Sequence, residues 1–104
     1  MVEIIENIVR KILNENDLTV IRIILFGSRA RGNFDETSYW DVLVVIDREL
    51  AFPEKHSLIT KIQRELAQEK IPNDIIIKSE NQFREMKDLP GNISYYANSE
   101  GHVL

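Results

Sequence analysis

The chain contains no cysteine, which excludes disulfide frameworks and thiolate metal sites and leaves the redox compartment undetermined. Long apolar runs are also missing. None approaches the ~20 residues a membrane helix needs, and the opening MVEIIENI lacks the basic start of a secretory signal. A soluble, cytoplasmic protein with no membrane partner is the expectation. Basic residues are outnumbered, 13 Lys and Arg against 17 Asp and Glu, for a net charge of −4. A broad nucleic-acid surface requires clustered Lys and Arg to neutralise phosphates; this composition argues against one, although a local basic patch is compatible with it. No repeat or low-complexity segment occurs.

What is present is globular in character. At 104 residues, 43% hydrophobic and 29% charged, the chain suits one domain over residues 1–104 with a single modest core. Residues 2–16 carry Ile5, Ile8, Val9, Ile12 and Leu13 at three- and four-residue spacing, which predicts an amphipathic helix. Val20 to Phe26 is β-branched and apolar on both faces apart from Arg22, as in a strand covered on both sides. Residues 27–32 form a turn or short helical start, and 33–38 read as a polar loop. A second strand spans Trp40 to Ile46. Pro53 suits a helix first turn, with the helix running from Glu54 to Gln68 on a stripe of Leu58, Ile59, Ile62 and Leu66. Asp74 to Lys78 reads as a third strand. A short helix carrying Phe83 and Met86 follows, then a Pro90-Gly91 turn and a last helix over 93–99 stopped by Gly101. The expected fold is α/β: a small mixed sheet of three or slightly more strands with packed helices.

The central stretch, Ile24 to Asp47, carries the chemistry. Glycine lets backbone approach a ligand closely, and successive N–H groups after a strand form an anion-binding concavity; Ser28 adds a hydroxyl donor. Gly27-Ser28 alone is also an ordinary tight turn. Arg29 and Arg31 suit phosphate oxygens and equally suit a solvated loop. Asp41 opens an apolar strand, where a charge must face solvent, a metal or a partner cation, and Asp74 opens the third strand in the same manner. If the two meet at one sheet edge, they repel unless a cation sits between them, and Mg²⁺ with oxygen ligands is the natural occupant. The alternative is two strand-edge aspartates that cap loops.

These residues carry a resemblance. Gly27-Ser28-Arg29-Ala30-Arg31-Gly32, five residues, then Ser38-Tyr39-Trp40-Asp41-Val42-Leu43-Val44-Val45 is similar to the signature of the minimal nucleotidyltransferases, small relatives of the DNA polymerase β superfamily. The tail from Pro90 to Leu104 resembles that family's usual ending. The family pattern has Ser-Asp-x-Asp before the strand and a third acid opening a later one, a place Asp74 matches in context. The resemblance implies the nucleotidyltransferase fold and transfer of a nucleoside monophosphate from ATP or another nucleoside triphosphate to a hydroxyl, using two Mg²⁺. It implies that Gly27 and Ser28 hold the β/γ-phosphates and that Arg29 or Arg31 neutralises them. Asp41 and Asp74 would be metal ligands, and Asp74 also the base. It further implies a small all-helical HEPN-type toxin as partner, with this chain the antitoxin that adenylylates or simply binds it.

One position departs from the pattern: Tyr39 stands where the first aspartate is expected. Residues two apart on a strand share a face, so Tyr39 should point with Asp41, and a phenol with a pKa of about 10 is a poor Mg²⁺ ligand. Asp35 or Glu36 is a candidate substitute. Trp40, on the other face, should pack under a helix, with Tyr39 the better base-stacking residue. His56 and His102 have no partner that makes a catalytic or metal case, and Lys78 is either near the phosphates or a solvated strand end. Three functional classes follow: an active adenylyltransferase, a degenerate nucleotidyltransferase acting as a neutralising subunit, and an unrelated α/β binding module.

Overall fold

The first helix, α1 (Val2–Glu15), buries Ile5, Val9, Ile12 and Leu13 on one face, the stripe expected from their spacing. It ends without a glycine. Asp17 takes the left-handed conformation at φ 59°, the Asp17 N–H reaches Asn14 O and the Leu18 N–H reaches Leu13 O, which makes a Schellman termination. Leu18 is buried immediately after it. Strand β1 (Val20–Phe26) leads into a one-turn helix, α2 (Ser28–Arg31), and then to β2 (Trp40–Ile46). Helix α3 (Phe52–Gln68) starts with Pro53 in its first turn. It stops by the same device as α1, with Lys70 at φ 59° and the Ile71 N–H on Leu66 O at 3.0 Å.

Strand β3 (Asn73–Ser79) follows, then α4 (Glu80–Met86), α5 (Ile93–Glu100) and a two-residue strand β4 (His102–Val103). Ser79 caps α4 in a reciprocal box with Gln82. Asn92 caps α5, its side chain accepting from the Tyr95 N–H. The computed structural model describes residues Met1–Leu104.

The strands form one mixed sheet in the order β3-β2-β1-β4. β1 is antiparallel to β2 and to β4, whereas β2 and β3 are parallel, as a crossover through α3 requires. The α/β class with a small mixed sheet of three or slightly more strands is as expected, and the fourth strand comes from the tail, where the sequence carries no strand pattern. Alternation along the strands divides the core into two layers. Ile23, Leu25, Val42, Val44, Ile46, Ile75 and Ile77 face α1 and α3. Ile24, Phe26, Leu43 and Val45 face Phe83 of α4 and Ala97 of α5. The two central strands β1 and β2 are thus apolar on both sides over most of their length because helices cover both, Ile21 and Arg22 of β1 being exposed.

Candidate active site

Register places the two strand-opening aspartates together. Asp41 lies beside Asp74 in the parallel β2–β3 ladder and beside Phe26, the residue before Gly27, in the antiparallel β1–β2 ladder. Gly27 has φ 75° and ψ −158°, a region essentially reserved for glycine. A Cβ built there would overlap the Asp41 Oδ2 outright and come within 3.1 Å of its Cγ. The glycine therefore serves twice, by turning the chain and by leaving room for the carboxylate. Beyond it, the Ala30 and Arg31 N–H groups fold back on Gly27 O at 3.1 and 3.0 Å, and Gly32 closes the turn in the left-handed conformation. Ser28 is half-buried, and its hydroxyl makes no hydrogen bond within the chain.

Electrostatics at Asp41 follow from this packing. Burial, and then the negative charge of Asp74, push its carboxyl above the ordinary value, while Arg31 pulls it the other way. A half-buried carboxylate beside a second one is a like-charge pair that a hard divalent cation relieves. Mg²⁺ is commonly held by one or two carboxylates, with phosphate oxygens and water completing its shell. Asp41 and Asp74 fit that role by chemistry and placement. No group of three or more His, Asp or Glu side chains converges in the chain, so the pair has no third acidic partner.

The family model of the nucleotidyltransferase domain matches residues 6–97. The chain belongs to the nucleotidyltransferase domain family. No curated protein matches it. Membership carries nucleotidyl transfer as the general chemistry, a nucleoside triphosphate as the substrate, and the Mg²⁺ that the family generally uses. The match spans β1, the Gly27-Ser28 turn, both aspartates and the first part of α5, so the nucleotidyltransferase fold and the geometry above belong to the same segment.

The remaining candidates are dispersed. Arg29 is engaged in the loop: its Nε and Nη2 donate to Ser38 O at 3.3 and 3.1 Å. Its guanidinium lies 4.5 Å from the Phe34 ring centre and 4.4 Å from that of Trp40. Trp40 also packs partly against the core layer of α1 and α3. Arg31, by contrast, is exposed and pairs with Glu100 at 2.9 Å. Tyr39 precedes the β2 ladder, whose first bond is from the Trp40 N–H to Pro72 O. It is 58% exposed and lines an open cleft of about 420 Å³ with Gln63, Ala67, Lys70 and Pro72 at the end of α3. Strand alternation does not extend to a residue outside the strand, so the expected pairing of faces with Asp41 does not apply there.

Asp35 is occupied with its own loop, accepting from the Thr37 N–H and hydroxyl; those bonds lower its pKa. Glu36 is exposed beside it. Lys78 lies at the opposite end of β3 from Asp74. His56 stacks on Phe52 at 5.9 Å. His102 Nε2 lies 3.0 Å from the Ala30 backbone carbonyl, a structural contact. The tail residues Glu100, Gly101 and His102 are the part of the site region that sequence reasoning missed. A strand of two residues has no periodicity to detect, and Gly101 read only as a helix stop.

No helix is long and apolar enough to cross a membrane.

Proposed function

We propose that this protein is a minimal nucleotidyltransferase, a single domain over residues 1–104, that transfers AMP from ATP to a hydroxyl. The observation that carries the reading is the placement of Asp41 beside Asp74 and against the Gly27-Ser28 turn. Gly27 and Ser28 receive the β/γ-phosphates, and Arg31 neutralises their charge. Asp41 and Asp74 hold Mg²⁺, which neutralises charge on the phosphate oxygens when bound. Asp74 takes the proton of the acceptor hydroxyl as its oxygen bonds to the α-phosphorus, and the bond to the leaving pyrophosphate breaks. Arg29 serves the loop, since its Nε and Nη2 donate to Ser38 O and its guanidinium stacks with Phe34 and Trp40.

The acceptor on this reading is a side-chain hydroxyl of a small helical HEPN-type toxin, and the chain is its antitoxin in the cytoplasm. A second reading is favoured by one specific observation: Tyr39 occupies the first aspartate's place, and no third acid joins the pair. In it the chain binds and neutralises the same partner without chemistry. Transfer of label from α-labelled ATP with Mg²⁺, in the presence of the protein that co-purifies from the native host, separates the two. Label on the partner that disappears in Asp41→Asn supports the transferase. A stable complex that never takes label supports the binding subunit.

A further inference from the structure

The C-terminal strap, Glu100 to His102, touches the Ser28–Gly32 turn twice. The Glu100 carboxylate accepts from Arg31 Nη1 at 2.9 Å, and His102 Nε2 meets Ala30 O at 3.0 Å. The strap is itself held in register. β4 pairs Val103 with Ile24 and His102 with Leu25, and the Leu104 N–H donates to Ile23 O at 2.8 Å. Gly101 sits so close to Ile24 and to the Ala97 carbonyl that a Cβ there would overlap both. A segment built this tightly against β1 is a fixed wall of the turn.

Arg31 therefore has Glu100 in direct contact at 2.9 Å, and its positive charge is also felt by the Asp41 carboxyl. We infer that Glu100 is a positioning residue for the phosphate site: it holds the Arg31 guanidinium over the turn and off Asp41. Without Glu100, the remaining nearby attraction draws Arg31 toward Asp41, where it competes with the cation and leaves the phosphates. His102 anchors the same dipeptide through the Ala30 carbonyl, which requires a proton on Nε2. The inference rests on the assignment of Arg31 and Asp41 proposed above.

The test is binding of ATP with Mn²⁺ to the whole chain by calorimetry, which needs no acceptor and no turnover. The Arg31–Glu100 pair is partly exposed, so Glu100→Gln, which keeps the side chain's shape, leaves the fold intact, and its expected effect is about a two- to five-fold weaker affinity. Arg31→Gln also weakens binding, and adding Glu100→Gln to it causes no further loss, because Glu100 acts only through Arg31. In any transfer assay the Glu100→Gln variant raises KM and leaves kcat unchanged. Full affinity in Glu100→Gln, a tightened affinity, or losses that multiply in the double variant would each overturn the inference while the site assignment stands. A wild-type chain that binds no ATP overturns the site assignment, and the inference with it.

Discussion

Replacing Gly27 by alanine tests the link between the turn and the carboxylate, and Gly32→Ala is its internal control. Both glycines have positive φ, 75° and 87°, so both alanines are strained. A Cβ at Gly32 meets nothing within 4 Å, and its cost is the left-handed conformation alone, about 1–2 kcal/mol. At Gly27 the backbone region costs about 1–3 kcal/mol, and the new methyl must also displace the Asp41 carboxylate. Forcing that side chain off its rotamer adds about 0.5–1.5 kcal/mol, for a total of roughly 2–4 kcal/mol. In a domain of this size that is a drop in Tm of about 8–30 °C, at about 4–8 °C per kcal/mol. Chemical denaturation of the two single variants, of Asp41→Ala and of Gly27→Ala/Asp41→Ala completes a cycle. The pair should couple by about 0.5–1.5 kcal/mol, because the second substitution removes the atom that the first one strikes. ATP·Mn²⁺ binding should fall in Gly27→Ala far more than in Gly32→Ala. Equal costs for the two glycines, or strict additivity of Gly27→Ala with Asp41→Ala, would refute the claim that Gly27 is glycine to make room for Asp41.

Asp41→Asn should stabilise the fold at neutral pH while abolishing transfer. The folded carboxyl lies above its ordinary value, so its favourable contribution is complete below the unfolded value and is lost as pH rises through the folded one. Melting curves between about pH 3 and pH 7 should show the gain of Asn over Asp growing with pH; a gain independent of pH would contradict the burial and Asp74 repulsion invoked for it. Tyr39→Asp tests whether a carboxylate at the mouth of the α3 cleft reaches the Asp41–Asp74 pair: raised Mg²⁺-dependent transfer over the wild-type titration shows that it does, and no gain shows that position 39 does not serve the cation. Arg29→Ala should destabilise by about 2 kcal/mol through lost stacking and hydrogen bonds to Ser38 O, and Arg29→Lys should not restore it, since an ammonium cannot lie flat between Phe34 and Trp40. Denaturation midpoints decide both.

The parts of this protein that were legible in advance are those where one residue type has one physical use. A charged residue opening a buried strand has to be explained by a cation or by solvent, so Asp41 and Asp74 could be singled out, and the parallel register of β2 and β3 then sets them side by side. Gly27 was legible as a turn but not as a neighbour of Asp41, because what a missing Cβ leaves room for depends on a residue of the next strand. Arg29 and Arg31 looked alike as two bases in one loop. Their roles diverge only in three dimensions, one stacked with Phe34 and Trp40 and the other held by Glu100. The helix ends at Asp17 and Lys70 lacked the expected glycine, and the burial of Leu18 and Ile71 just beyond them accounts for the left-handed turns instead.

The tail shows where local patterning stops carrying information. Two residues of β4 bury no apolar stripe and alternate over no measurable length, yet they place His102 and Glu100 against a turn some seventy residues earlier in the chain. That long-range closure is what makes the turn rigid. The Gly27–Gly32 segment has Gly27 O as its own internal acceptor, β2 beneath it through Asp41, and the strap beside it through Arg31 and Ala30. A phosphate site gains affinity from donors fixed before the ligand arrives, and this turn is fixed from three directions. The chemistry that Tyr39 puts in question concerns the cation side of the site alone. Phosphate binding should therefore outlast catalysis: triphosphate binding in the absence of any divalent ion should be lost in Arg31→Gln and retained in Asp41→Asn, and the reverse pattern would show that the cation, not the turn, holds the nucleotide.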